Sequence, residues 1–357
     1  MFIQALFLAA AFQAPPGEEA VTLHIGDKAP AISAEHWVKG DAVSAFEKGR
    51  IYVVEFWATW CAPCIESIPH LTETQAHYKD KNVTVIGVAA SEQPDDEKEK
   101  LEGVKAFVTE KGDKMGYTVA VDTDRSMATS WMQAAGQSGI PTAFLINGDG
   151  LVAWVGHPME MDASLEGVVS GSFDLKAATE KARKQAEAMK KAAPLQAKIE
   201  EAAQAQKWDE VIKAFDEMLA IDEEVFAMVR VSKFQVLLTE MGEEEKAYAY
   251  AKESLPKLWD QVEAMGGIAW LISDPETKLK TRDLELALKA ADRANELTHE
   301  KNAGVLDLVA QVHAAKGDFA KAVEFETKAV AFAQEGEMRT AMDAKLKEYQ
   351  EKSAKKS

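Results

Sequence analysis

The chain has 357 residues, 47% of them hydrophobic and 28% charged, the make-up of a soluble globular protein and one that excludes wholesale disorder. At about 100–200 residues per domain, that length implies two folded units or three. Forty-one Lys and Arg stand against 59 Asp and Glu, a formal net charge of −18, so nucleic-acid binding has no electrostatic footprint and anionic lipid is repelled.

Residues 1–14 read MFIQALFLAAAFQA, before Pro15-Pro16-Gly17. About a dozen apolar residues suit the h-region of an export signal and fall short of the roughly 18–20 that span a bilayer. No Lys or Arg precedes the run, so a retained anchor and a buried apolar segment compete with a cleaved signal. Export is the working reading. It predicts an exported, periplasmic or otherwise extracytoplasmic protein, soluble after cleavage, with peripheral membrane contact at most.

Residues 21–173 mix apolar β-rich runs with helix-period stretches. The runs 51–57 and 83–88 are buried-strand candidates, and 142–146 and 151–155 flank Asn147-Gly148-Asp149-Gly150, a strong hairpin signal. Helical periodicity covers 64–78, 97–111 and 126–133. Strands alternating with helices and closing on a hairpin describe an α/β domain with parallel strands joined by crossover helices.

From about residue 174 the strand signals stop. Residues 174–206 read as a polar-faced helical connector, interrupted near Pro194. Residues 207–357 then repeat themselves: Lys207-Trp208-Asp209, Gly242-Glu243-Glu244 and Gly317-Asp318-Phe319 open similar helices, with a looser copy near Asp283-Leu284. The offsets are about 36, 40 and 35 residues, and the final copy, a helix over 303–316, a Gly317-Asp318 turn and a helix over 319–334, resembles the tetratricopeptide repeat best. Such units bury their apolar faces only by stacking on one another, and the alternative is a plain helical bundle.

Only two cysteines occur, which excludes a disulfide-stapled scaffold and a Cys-rich zinc module. Cys61-Ala62-Pro63-Cys64 follows a buried strand and opens a helix. There Cys61 meets unsatisfied N–H groups and the positive end of the helix dipole, which favour a thiolate nearer neutral pH than a free thiol allows. Pro63 has the φ a first helical turn prefers and no N–H to leave unpaired. Cys61 is then a nucleophile and Cys64 a resolving thiol. A structural disulfide would close too short a loop to restrain the unfolded chain much, and half a zinc site lacks its second pair among the seven histidines.

Val53-Val54-Glu55-Phe56-Trp57-Ala58-Thr59-Trp60-Cys61-Ala62-Pro63-Cys64, with Gly139-Ile140-Pro141-Thr142 well downstream and His24-Ile25-Gly26-Asp27 upstream, resembles the thioredoxin fold and, within it, the exported TlpA/ResA-type thiol–disulfide oxidoreductases. The resemblance implies a cis Pro141 facing the cysteines, with the Ile140 backbone offered to an incoming chain. It implies a docking surface shaped by Trp60, Ala62 and Pro63, with Trp57 in the core. Glu55 matches the acid thioredoxins bury behind the resolving cysteine, where desolvation raises its proton affinity; an outward-facing strand residue is the alternative. The exported subfamily's acid three residues after the second cysteine is here Ser67, with Glu66 one position earlier.

The expected function is therefore that of a disulfide reductase in redox homeostasis. It needs no cofactor or metal beyond the Cys61–Cys64 pair, acts on protein disulfides and thiols, is reset by an external electron-donor protein, and carries a helical array for a protein partner. The rivals are the same fold acting as thiol oxidant or isomerase, a peroxiredoxin-type peroxidase, whose Thr-x-x-Cys context is missing, and an adaptor whose array is the working surface.

Overall fold

The computed structural model describes residues 21–34, 36–93, 96–333 and 336–355. The segment read as an export signal, residues 1–14, lies outside them. The chain divides into two compact units, with the boundary between residues 187 and 188.

The first unit is built on a six-stranded sheet. Its strands are β1 (His36–Lys39), β2 (Ile51–Trp57), β3 (Val83–Ala89), β4 (Thr118–Val121), β5 (Thr142–Ile146) and β6 (Val152–Gly156), in spatial order β1-β4-β3-β2-β5-β6. β2, β3 and β4 run parallel, while β1, β5 and β6 pair antiparallel to their neighbours. The parallel pairs need crossovers, supplied by helices α1 (Ala62–Tyr78) and α2 (Glu97–Lys111). α3 (Asp162–Ser170) follows β6. This is the thioredoxin-like architecture.

β2 is central and wholly buried, which is why it reads as an unbroken apolar run apart from Glu55. Alternation sends Ile51, Val53 and Trp57 to the face packed by Cys64, Ile68 and Leu71 of α1. Tyr52, Val54 and Phe56 face the opposite layer, where Trp131 meets Phe56 tilted at 6.2 Å and Phe144 meets it edge-on at 5.7 Å. Each of these rings carries about 3–5 kcal/mol against truncation to Ala. At the hairpin, Asn147 Oδ1 accepts from the N–H groups of Asp149 and Leu151, and Gly150 takes φ +75°, where a side chain would be strained.

The expected strands fall where the pattern places them. Two further strands, β1 and β4, were not expected. Residues 126–133 form a helical turn that widens to a π-helix over Ala128–Gln133.

Past the first unit, no strand occurs among the described residues. α4 (Leu175–Gln204) runs unbroken through Pro194, correcting the expected interruption: proline lacks one N–H and so removes one backbone bond, while the turns on either side stay helical. The helices after it are α5 (Trp208–Ile221), α6 (Val229–Gln235), α7 (Glu244–Ser254), α8 (Val262–Ser273), α9 (Leu284–Leu297), α10 (Ala303–Ala315), α11 (Phe319–Phe332) and α12 (Glu337–Ala354). Several start on side-chain caps: Asp283, Asn302 and Asp318 accept from Leu286, Val305 and Lys321 N–H respectively. Phe234, Ile268, Ile272, Ala290 and Val309 sit in a core drawn from successive helices, so the apolar stripe of each is covered by its neighbours.

Candidate active site

The site lies where β2 ends and α1 begins. β2 ends at Trp57, whose carbonyl accepts from Ala90 N–H, so the chain leaves the sheet beside the end of β3. Ala58 to Trp60 turn it into α1, and Cys61 is the N-cap, with extended φ −82°, ψ 102°. Its Sγ accepts from the Cys64 N–H at 3.3 Å, so a sulfur occupies the place where capping oxygens usually bind the first-turn donors. Cys61 and Cys64 form a disulfide. Cys61 is 4% exposed and Cys64 1%, so Cys61 is the outer sulfur and Cys64 lies against the core. Pro63 stands in the first helical turn, and both Ala62 and Pro63 are exposed.

Opposite stands the loop before β5. Ile140–Pro141 is cis, Pro141 is buried, and the Ile140 carbonyl oxygen is 3.8 Å from Cys61 Sγ. Thr142 Oγ1 donates to the Gly139 carbonyl at 2.8 Å, pinning the turn. Trp60 is 57% exposed, an uncommon position for an indole, and its N–H donates to the Ser91 carbonyl at 2.9 Å. Trp57, by contrast, is buried in the core.

Glu55 takes the inward position on β2, between the Val53 and Trp57 side chains and in register with Gly87 of β3 and Ala143 of β5. It is 1% exposed, and burial pushes its carboxyl up to about 8. Ser67 is buried and donates its hydroxyl to the Cys64 carbonyl at 2.8 Å, while Glu66 points to solvent. All the residues singled out from the sequence thus fall within the α1 N-terminus, the loop opposite it and the strand beneath.

Two residues of the site escaped the sequence reading. Glu92, 8% exposed in the loop after β3, accepts from Thr59 N–H at 2.6 Å and from Thr59 Oγ1 at 2.7 Å. With the Trp60–Ser91 bond it ties the approach to Cys61 to the end of β3. The available signal was its place: the segment just beyond a central parallel strand is where open α/β sheets put their working residues. Tyr117, at the entry to β4, is buried on the α1 side of the sheet and gave no motif at all.

An N-capping sulfur paired with a buried one, an adjacent backbone carbonyl and a buried acid of raised proton affinity form an arrangement able to carry out thiol–disulfide exchange. Comparison with known proteins agrees. Residues 24–169, within the sheet unit, match the Redoxin family model. Protein FixW of Rhizobium leguminosarum is 29% identical over 154 residues, 43% of this chain and 70% of that protein. The thiol–disulfide oxidoreductase ResA of Bacillus subtilis is 32% identical over 108 residues, 30% of this chain and 53% of ResA, so the chain spans about half the length of that relative. A solved structure, a putative thiol:disulfide interchange protein DsbE of Chlorobium tepidum, is 28% identical, covering 43% of this chain and 99% of its own, with a TM-score of 0.33.

Proposed function

We propose that the protein is an extracytoplasmic thiol–disulfide oxidoreductase working as a disulfide reductase. The single observation that carries the reading is the Cys61–Cys64 pair at the head of α1, facing the cis Ile140–Pro141 bond with Glu55 buried beneath. Reduced Cys61 attacks one sulfur of a protein disulfide; an S–S bond forms to Cys61 and the other substrate sulfur leaves as a thiolate, which takes a proton. The Glu55 carboxylate accepts the Cys64 proton, and Cys64 attacks Cys61 Sγ, releasing the second substrate thiol and closing the Cys61–Cys64 disulfide. A dithiol electron-donor protein then returns two electrons, and no other cofactor is needed. The Ile140 backbone and the exposed Trp60, Ala62 and Pro63 supply the surface on which a substrate strand docks.

The extracytoplasmic placement rests on the apolar run of residues 1–14; no helix among the described residues is long and apolar enough to cross a membrane. The helical unit is read as a tetratricopeptide-like array that binds a protein partner. Its recurring offsets support this, as does a groove of about 750 Å³ lined by Leu255, Pro256, Trp259 and Leu286 and edged by Lys252 and Asp283.

The test is the reduction potential of the pair, measured on the full chain by equilibration with glutathione buffers. A value near thioredoxin's, about −270 mV, is expected. A value near −120 mV would make the protein an oxidant of exported thiols. Absence of a reversible two-electron couple would leave the helical unit as the working part.

A further inference from the structure

Three of the buried polar atoms of the redox unit, Glu55 Oε2, Trp57 Nε1 and Tyr117 Oη, make no hydrogen bond to the protein. Their residues are 1%, 1% and 4% exposed, so bulk water cannot serve them. Leaving even one such group unsatisfied costs about 1–3 kcal/mol, and three together in one fold call for an explanation. They are not scattered. All three side chains converge on Gly87, the residue of β3 in register with Glu55. A Cβ placed on Gly87 would lie 3.0 Å from Tyr117 Cε2, 3.1 Å from Trp57 Nε1 and 3.4 Å from Glu55 Oε2. Gly87 sits in regular strand and has no positive φ to explain it. What its missing side chain does is keep this small polar space open.

We propose that Gly87 maintains a buried chamber in which Trp57 Nε1 and Tyr117 Oη are hydrogen-bond donors to the Glu55 carboxylate through one enclosed water, and so set how readily Glu55 takes and returns a proton. The indole can only donate, and the phenol donates to a carboxylate or accepts from the protonated acid, so the pair serves both states of Glu55. Tyr117 and Trp57 are positioning residues, because they act through Glu55. The proposal rests on the reading of Glu55 as the proton carrier for Cys64.

The other groups facing Glu55 are few. α1 covers this face with Cys61 and Cys64, β3 offers Gly87 and β5 offers Ala143, neither titratable. α2, whose Phe107 packs on Trp57 at 5.4 Å, carries buried Lys100, and Lys111 lies over the Phe107 ring at 5.0 Å. Burial, and after it the Glu55 charge, pushes the Tyr117 phenol well above its ordinary range, so it stays protonated and able to donate throughout.

The experiment is to titrate the Glu55 carboxyl by carbon-13 NMR in the oxidised full chain, for the native protein, Tyr117→Phe and Gly87→Ala. Removing a donor to the charged form raises the proton affinity. The Tyr117→Phe titration should therefore move upward by about one pH unit. The carboxylate fraction near neutrality, and with it the rate of the Cys64 step, should fall about tenfold and recover at higher pH. Gly87→Ala fills the chamber while removing no polar atom, and should move the titration the same way. A titration unmoved in both variants, even with stability changed, overturns the proposal. Glu55→Gln separates this from the underlying reading: unchanged turnover in that variant removes Glu55 from the reaction, whatever the titrations show.

Discussion

The Glu92 clamp gives a prediction that can be worked from distances alone. Its carboxylate accepts two short bonds from one residue, Thr59 N–H at 2.6 Å and Thr59 Oγ1 at 2.7 Å. Bonds to a charged acceptor are each worth about 1.5–3 kcal/mol, but Thr59 is half-buried, so water recovers part of what is lost when the acceptor is removed. Burying a carboxylate that is 8% exposed also costs something in the native protein. The net expectation for Glu92→Ala is a loss of about 2 kcal/mol. Glu92→Gln, which keeps one carbonyl acceptor, and Thr59→Ala, which keeps the backbone bond, should each lose about 1 kcal/mol. The double variant Thr59→Ala/Glu92→Ala should then cost clearly less than the sum, because the two residues share the bond. Urea unfolding of the full chain gives the stabilities, and amide exchange at Thr59 reads the clamp locally, since the Thr59 N–H must open to exchange. If Glu92→Ala stays within about 0.5 kcal/mol of the native protein and Thr59 exchange is unchanged, the loop does not depend on the clamp.

Glu55 makes stability depend on pH in a definite direction. Its carboxyl titrates at about 8 when folded against 4.5 as the ordinary value, so the folded protein holds an extra proton between those limits. The stabilisation is fully present below pH 4.5 and is lost as pH rises through 8; by pH 7 it has fallen by on the order of 3 kcal/mol. Glu55→Gln should flatten the stability profile between pH 5 and 8 in urea titrations, and a profile parallel to the native one would contradict the burial argument. Cys64→Ser should accumulate a mixed disulfide between Cys61 and a protein substrate, seen as a dithiothreitol-sensitive band on non-reducing gels. Cys61→Ser should form none, and trapping by Cys61→Ser would reverse the roles of the two sulfurs. In the helical unit, Phe215 of α5 is wholly buried, and Phe215→Ala should cost about 3–5 kcal/mol by circular dichroism at the helix band; a loss under 1 kcal/mol would mean that α5 packs otherwise.

What the sequence discloses about this fold depends on how local the cause is. β2, β3 and β5 are legible because both faces are buried and each appears as an apolar run of strand length. β1 and β4 have four residues each, too few for a period to emerge, and each is held by the other's antiparallel register and, for β4, by β3. The π-helical turn of residues 128–133 has the same origin. Asp122 accepts from the N–H groups of Met127 and Ala128, a bond pattern between residues five and six apart that no helical periodicity encodes. Pro194 misled in the opposite direction, because proline is a strong local signal and here the surrounding helix overrides it.

The same division runs through the site. Cys61, Pro63 and Cys64 act through the first turn of one helix, so their spacing states their chemistry, and Ile140–Pro141 adds a second short motif. Glu55 stood out because a carboxylate in the middle of an apolar run is costly unless something uses it. Gly87 and Tyr117 lie 32 and 62 residues from Glu55, and Glu92 lies 33 from Thr59, roughly the spacing that crossover connections impose, and they meet only once β2, β3 and β4 are side by side. Gly87 is the clearest case. Read alone it is a weak residue within a strand; in register with Glu55 it is the gap on which an acid, an indole and a phenol converge. A parallel sheet thus does more here than raise the cysteines on a rigid platform. It places beside the acid, from strands distant in the chain, the groups that decide when that acid holds its proton.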